Sequence, residues 1–207
     1  MNRADFLIIG CSPRKGGNSD FAALEAARTA MNMGFNPELL YLRDFLVLPC
    51  TGCRKCASSP DYKCVLAEKD QCGFLLNRID QARAVCFCSP IFFYHLPAQF
   101  KGLIDRGQSF YERWIKTGSR EKIGKALCIL VAGRKKGESL FKGSLLTLKY
   151  FLEPLNRELS DLCLRGVDQY KDLERDYTSR SRIYDFIGNE LGSEKNDAQA
   201  SYPDQGN

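Results

Sequence analysis

Four thiols set the chemistry that this chain could perform. Cys50, Cys53 and Cys56 recur at three-residue intervals, and Cys64 follows after seven further residues. Side chains spaced so closely can converge on one centre, so the stretch from Cys50 to Cys64 reads as a metal site. Zinc would take four thiolates in a closed tetrahedron, although structural zinc sites usually divide their ligands into two separated pairs. Three thiols at successive three-residue intervals are what ferredoxin runs use to wrap one iron-sulfur cubane, and the compact spacing favours that occupant. Free or oxidised thiols are the remaining alternative. Cys72, eight residues past Cys64, competes with it for the fourth place. Arg54 and Lys55, between the ligands, are either solvated loop charges or a guide for an acidic electron donor.

A second constellation lies near the N-terminus. Asp5 to Gly10 is a short apolar run after a polar start, as expected of a central strand covered on both faces. It leads into Cys11-Ser12-Pro13-Arg14-Lys15-Gly16-Gly17-Asn18-Ser19, a turn rich in hydroxyl, amide and cationic groups. A helix follows, with Asn18 or Ser19 as its cap, Phe21, Leu24, Ala27 and Met31 along one face, and Gly34 as its stop. A strand, a glycine-rich loop and a helix start gather free backbone N–H groups at the positive end of a helix, which is an anion site. Ser12, Gly17, Asn18 and Ser19 would donate to a phosphate there, and Arg14 or Lys15 would supply charge. A polar surface turn without a ligand is the plainer alternative. Neither the dinucleotide Gly-x-Gly-x-x-Gly spacing nor a Gly-Lys-Ser/Thr phosphate loop is present.

The third constellation is Pro90-Ile91-Phe92-Phe93-Tyr94-His95, between an apolar strand over 84–88 and a helix that begins at Pro97. In an open parallel sheet, ligands bind beyond the strand carboxyl ends where strand order reverses, between strands one and three in flavodoxin-like order. A phosphate loop after strand one and an aromatic loop after strand three therefore suit one ligand with a phosphate and a flat apolar ring system. Gly133, at the end of the fourth strand, belongs to the same rim. His95, the one histidine of the chain, reads as a positional residue rather than a proton donor. Cys11, Cys86, Cys88, Cys128 and Cys163 read as small packing residues.

The elements that hold these groups follow from periodicity. Strands are expected over 5–10, 38–43, 84–88, 125–132 and, most weakly, 159–167. A helix over 71–80 follows the long cysteine-bearing excursion 44–70. Phe100, Leu103 and Ile104, then Phe141, Leu145, Leu148, Leu152 and Leu155, form helical core faces. Phe110, Tyr111 and Trp114 would cover a ligand, meet a second subunit, or pack under a loop. A last helix holds Ile183, Phe186, Ile187 and Leu191, which makes 1–191 one α/β domain, and 192–207 reads as a mobile polar tail.

Composition narrows the function. Thirty basic and 25 acidic residues leave a spread charge of +5, with no basic face interleaved with aromatics, so nucleic acid is not expected. The longest apolar run, Ala126 to Ala132, is far too short to span a bilayer. The apolar stretch near the N-terminus is also too short for a signal-peptide core. A soluble cytoplasmic protein is expected, in which dense cysteine means metal or redox chemistry. No Ser-His-Asp or paired-carboxylate arrangement points to hydrolysis.

The first loop, Pro49-Cys50-Thr51-Gly52-Cys53, Ser89 to Tyr94, and Pro97-Ala98-Gln99-Phe100-Lys101 with Asp105-Arg106 together resemble the NAD(P)H-dependent FMN reductase superfamily, and within it the iron-sulfur flavoproteins. The likeness covers about residues 5 to 135. It implies a flavodoxin-like three-layer fold with a five-stranded parallel sheet in the order 2-1-3-4-5 and a cysteine-rich loop after strand two. It further implies FMN, with the phosphate in the first loop and the ring against residues 90 to 95. A [4Fe-4S] cluster on Cys50, Cys53, Cys56 and Cys64 and a homodimer or homotetramer are implied as well. The electron donor would be a ferredoxin or NAD(P)H, and the acceptor a small molecule. A cluster-free NAD(P)H-dependent FMN or quinone reductase, and a non-catalytic module with a structural zinc loop, are the alternatives.

Overall fold

Two unbroken apolar strands sit at the centre of the molecule. Every residue of Phe6–Gly10 (β1) is buried, as is all of Ala84–Pro90 (β3) except its last residue. Strands of this kind need cover on both faces. In the computed structural model, which describes residues 5–118 and 124–200, they lie side by side in a parallel five-stranded sheet. Pro37–Tyr41 (β2), Gly124–Ala132 (β4) and Arg157–Arg165 (β5) complete the order β2-β1-β3-β4-β5. The expected strand order is the observed one, with β2 and the weakly patterned β5 as its two edges.

Side-chain alternation along the strands divides the core into two. Leu7, Ile9, Val85, Phe87, Cys128 and Leu130 face one side. There they meet Cys72–Gln81 (α3), Ala98–Arg106 (α4), Gln108–Thr117 (α5) and Lys142–Leu152 (α6). Phe6, Ile8, Cys86, Cys88, Leu127 and Ile129 face the other. That side is covered by Asn18–Asn32 (α1), the single turn Asp172–Arg175 (α7) and Tyr177–Ala200 (α8). Another single turn, Lys55–Ser58 (α2), lies in the cysteine excursion.

The first helix differs from the expected one in its buried face. Leu24 and Met31 are exposed, and the residues against the sheet are Ala22, Ala23, Ala26, Ala27 and Ala30. Their small side chains let the helix axis lie close to the strands, an advantage that a count of large apolar groups cannot register. Its N-cap is Gly17, one residue earlier than expected, so Asn18 is already helical. The final helix continues past Leu191 to Ala200; residues 201–207 of the expected tail lie outside the described residues. No helix among the described residues is long and apolar enough to cross a membrane.

Candidate functional site

The loop after β1 and the loops after β3, β4 and β5 enclose a cleft of about 240 Å³. Ser12, Arg14, Gly17, Asn18 and Ser19 line one end, Pro90, Ile91 and Phe92 another, and Gly133 a third. Nine of the thirteen residues expected to hold the ligand therefore meet in one place. Lys15, Phe93, Tyr94 and His95 do not line it. Lys15 is exposed, and the His95 ring faces Thr147 of α6, Nε2 to Oγ1 3.2 Å. Val131, Val167 and Asp168 complete the lining. Asp168 carries no sequence signal, because the strand that leads to it, β5, is the most weakly patterned of the five.

The phosphate end is built as an anion site should be. Gly17 caps α1 without a side chain, so the first-turn N–H groups have no intrahelical acceptor and no capping oxygen. The Ser12 hydroxyl accepts from Arg14 N (3.2 Å) and shapes the loop. Asn18 reaches the other way: its Nδ2 donates to Gln169 O (2.9 Å), and its Oδ1 accepts from Leu173 N (3.2 Å). One amide hydrogen thus remains for a ligand. Beneath the loop lies a pair that spacing did not reveal. The buried Asp20 carboxylate accepts from Gly16 N (2.8 Å) and from Arg43 (2.9 Å), and Arg43 also donates to Ser12 O (3.1 Å). The acid in the first turn of α1 is thereby neutralised and does not oppose an anion.

The aromatic end contains a strained turn. Phe92 N donates to His95 O (2.8 Å) and His95 N to Phe92 O (2.9 Å), which closes a tight hairpin. Phe93 and Tyr94, at its tip, have φ of 48° and 63°. Two left-handed positions in succession are ordinarily filled by Asn-Gly. Side chains larger than Asn are strained there, and such strain clusters at functional sites. Tyr94 is secured by Arg134, whose Nη1 donates to its hydroxyl (3.2 Å), whereas Phe93 is fully exposed.

The cysteine excursion is clasped at its base. Leu46 and Gln71 exchange two hydrogen bonds of 2.9 Å, one through the Gln71 side chain. Leu48 N donates to Asp70 (2.9 Å), and Asp70 pairs with Arg106 of α4 (2.6 Å). Above this clasp, Cys50, Cys53, Cys56 and Cys64 all line one cavity of about 470 Å³, with Arg106 and Gln108, Tyr111 and Glu112 of α5 on its opposite wall. Tyr111 thus covers the cysteine site, while Phe110 enters the core and Trp114 lies against Tyr111.

The thiols differ in environment. The Lys55 N–H, and after it the Thr51 side chain, hold the exposed Cys53 below its ordinary pKa. Burial, then the charges of Glu112 and Cys64, push Cys56 up. Gly52, at φ 65°, turns its N–H toward Cys50 Sγ (3.4 Å). Cys72 does not line the cavity. It is wholly buried in the core, and burial raises its pKa to about 12. Among the described residues, no three His, Cys, Asp or Glu side chains are gathered for a single metal ion.

A parallel sheet in this order, with a donor-rich loop after β1 and an aromatic loop after β3, defines a flavodoxin-like protein. Residues 4–148 match the NADPH-dependent FMN reductase family, and the chain belongs to that family. It is 32% identical over 99 residues to an iron-sulfur flavoprotein of Archaeoglobus fulgidus, across 48% of this chain and 43% of that one. A second iron-sulfur flavoprotein, from Methanosarcina thermophila, is 30% identical over 129 residues, 62% of this chain and 63% of its own. The matches to these two relatives thus span less than two thirds of their length. Among solved structures, the NAD(P)H:quinone oxidoreductase from Methanothermobacter marburgensis has a TM-score of 0.67 at 18% identity, covering 90% of this chain and 93% of that one. An FMN-dependent NADH-azoreductase from Bacillus anthracis, solved in complex with FMN, has a TM-score of 0.62 at 15% identity, with coverages of 91% and 99%. These two structures share the fold.

Proposed function

We propose that this chain is an FMN-dependent oxidoreductase of the iron-sulfur flavoprotein kind, with FMN in the cleft and a [4Fe-4S] cluster on Cys50, Cys53, Cys56 and Cys64. The observation that carries the cluster reading is that these four thiols line one cavity while Cys72 is withdrawn into the core. The donor set is all thiolate, the ligation that [4Fe-4S] clusters use. For FMN, the fit rests on the uncapped α1 terminus facing a cleft whose other wall is the loop after β3. When bound, FMN exchanges one or two electrons and a [4Fe-4S] cluster exchanges one, which together make an electron-transfer pair.

The chain's own residues supply binding and exclusion. Arg14, Ser19 and the first-turn N–H groups of α1 hold the phosphate, with Asp20 and Arg43 fixing the loop that presents them. Pro90, Ile91 and Phe92 seat the ring and keep water from that side. The cleft and the cysteine cavity share no lining residue. That separation favours a homodimer or homotetramer in which the cysteine loop of one subunit approaches the cleft of another. A ferredoxin or NAD(P)H is the proposed donor, and a small molecule the acceptor.

An anaerobic preparation assayed for flavin, iron and acid-labile sulfide tests this reading. Flavin with stoichiometric iron and sulfide is expected. Flavin without either, together with rapid bleaching by NADPH, would establish the second reading, a cluster-free NAD(P)H-dependent reductase, which the family match by itself favours.

A further inference from the structure

A groove of about 1060 Å³ runs along the open side of β5, between that strand and α6. Among the described residues β5 pairs only with β4, so its outer edge is left open over nine residues. Leu145, Leu159 and Cys163, all half-buried, form the floor with the buried Phe141, and Leu146, 54% exposed, stands on the rim.

The charges on the rim are sorted by end. β5 runs parallel to β4, with Arg157 beside Gly124 and Arg165 beside Ala132, and α6 returns from the carboxyl to the amino edge of the sheet. Lys142 and Arg165 therefore mark one end of the groove, and Glu153 and Glu158 the other. All four are exposed, and none has an ion-pair partner among the described residues; Arg165 donates to Gly137 O (2.9 Å). Buried Arg157, at the acidic end, turns inward to the carbonyls of Lys125, Ile79 and Ala82. Lys149 and Asp161, between the ends, are of opposite sign, and Glu138 is the one rim charge against the pattern. Lys142 opens α6 and Glu153 closes it, each at the helix end whose partial charge it opposes. Charged side chains on an open edge also serve simply to keep it from pairing. That purpose calls neither for segregation by sign nor for charges on α6 set against its dipole.

We propose that this groove seats a second copy of the chain, the two grooves facing each other across a twofold axis. Such a contact is isologous, so every pairing occurs twice with the roles exchanged. With the grooves antiparallel, Lys142 and Arg165 of each copy meet Glu153 and Glu158 of the other, and each Leu146 enters the partner's apolar floor. The contact uses no lining residue of the cleft or of the cysteine cavity. It is separate from the approach of cysteine loop to cleft proposed above, and it stands whether or not a cluster is bound.

The test is the mass of the full chain in solution, by light scattering at low ionic strength, where exposed charges are least screened. Lys142→Glu is expected to halve the mass of the parent, and Leu146→Asp to do the same. Lys142→Glu/Glu158→Lys, which exchanges the charges between the ends, is expected to restore it. A parent that is monomeric at every concentration overturns the proposal and leaves the groove to a different protein. A mass that neither single variant alters overturns it as well, and means that copies meet elsewhere. A halved mass that the exchange fails to restore overturns the antiparallel pairing. Should the variants fold poorly, the parent decides. Copies labelled with ¹⁴N and ¹⁵N are combined at high dilution, concentrated and coupled with a zero-length carbodiimide. Peptides joining Lys142 to Glu153 or Glu158 are expected to carry one label of each kind, and their absence from an associated parent overturns the seat.

Discussion

Asp70 and Arg106 meet at 2.6 Å with side chains 0% and 2% exposed, and through them the last residue of α4 holds the base of the cysteine excursion. Removing one member strands a buried charge, a loss of about 3–5 kcal/mol. Asp70→Ala is therefore expected to lower the urea midpoint by that equivalent. The same variant should open the 44–70 segment to limited proteolysis before the rest of the chain.

The pair also sets an acid limit. Burial by itself would raise the Asp70 carboxyl, but hydrogen bonds from Arg106, Leu48 N and Cys72 N and the Arg106 charge outweigh it, so the folded pKa lies below the ordinary carboxylate value. A depressed carboxyl contributes stability that is present above its unfolded pKa and lost as pH falls through the folded one. The loss is expected below about pH 4. Urea titrations from pH 6 down to pH 2 should show it, and a slope that Asp70→Asn leaves unchanged in that window would contradict the assignment.

Cys64 and Cys72 should separate cleanly. Cys64→Ser is expected to reduce iron and sulfide per chain after anaerobic reconstitution. Cys72→Ala should leave both at the parent value and cost about 1 kcal/mol of stability, as expected for a small buried side chain.

FMN affinity should depend on Arg14. A hydrogen bond to a charged group contributes about 1.5–3 kcal/mol, so Arg14→Ala is expected to weaken FMN binding roughly 10- to 100-fold. Fluorescence titration of the flavin-free protein measures this. Lys15→Ala, at a position outside the cleft lining, should have little effect.

At Gly133 an added Cβ would collide with the Asp168 carboxylate. Gly133→Ala is expected to destabilise by about 0.5–1.5 kcal/mol, by forcing the exposed Asp168 side chain off its rotamer, and to narrow the cleft. Asp168→Ala in the same chain should restore most of the stability, and a double-mutant cycle in urea gives the coupling directly.

Phe93, fully exposed at φ 48°, should prefer to be glycine. Phe93→Gly is expected to stabilise the isolated chain by about 0.5–1 kcal/mol, because the left-handed penalty on a side chain exceeds the extra entropy that glycine loses. A lower thermal midpoint instead would mean that Phe93 packs against something beyond its own chain.

The position of each strand, both loops of the cleft and the four cavity thiols were legible because each is written locally, whereas strand order came with the family resemblance. Buried strands read as apolar runs, turns declare themselves by Gly, Ser and Pro, and ligand spacing is a matter of a few residues. The face of α1 was misread because its alanines are chosen for close approach to the sheet. Asp20–Arg43 and Asp70–Arg106 were invisible because their members lie 23 and 36 residues apart and belong to different elements. His95 stood beside the aromatic loop in sequence, yet the turn through Phe93 and Tyr94 carries its ring to Thr147.

By itself, then, the sequence determined which groups exist and which loop carries each, since backbone preference and hydrophobic alternation act over a few residues. Tertiary structure decided which of those groups meet. It turned Cys72 into the core and Cys64 toward the cavity, brought Asp168 to the cleft, and placed Arg106 against thiols more than forty residues earlier in the chain. Such encounters follow from how helices of different length and side-chain size dock on one twisted sheet, and long-range packing of that kind has no periodic signature to read.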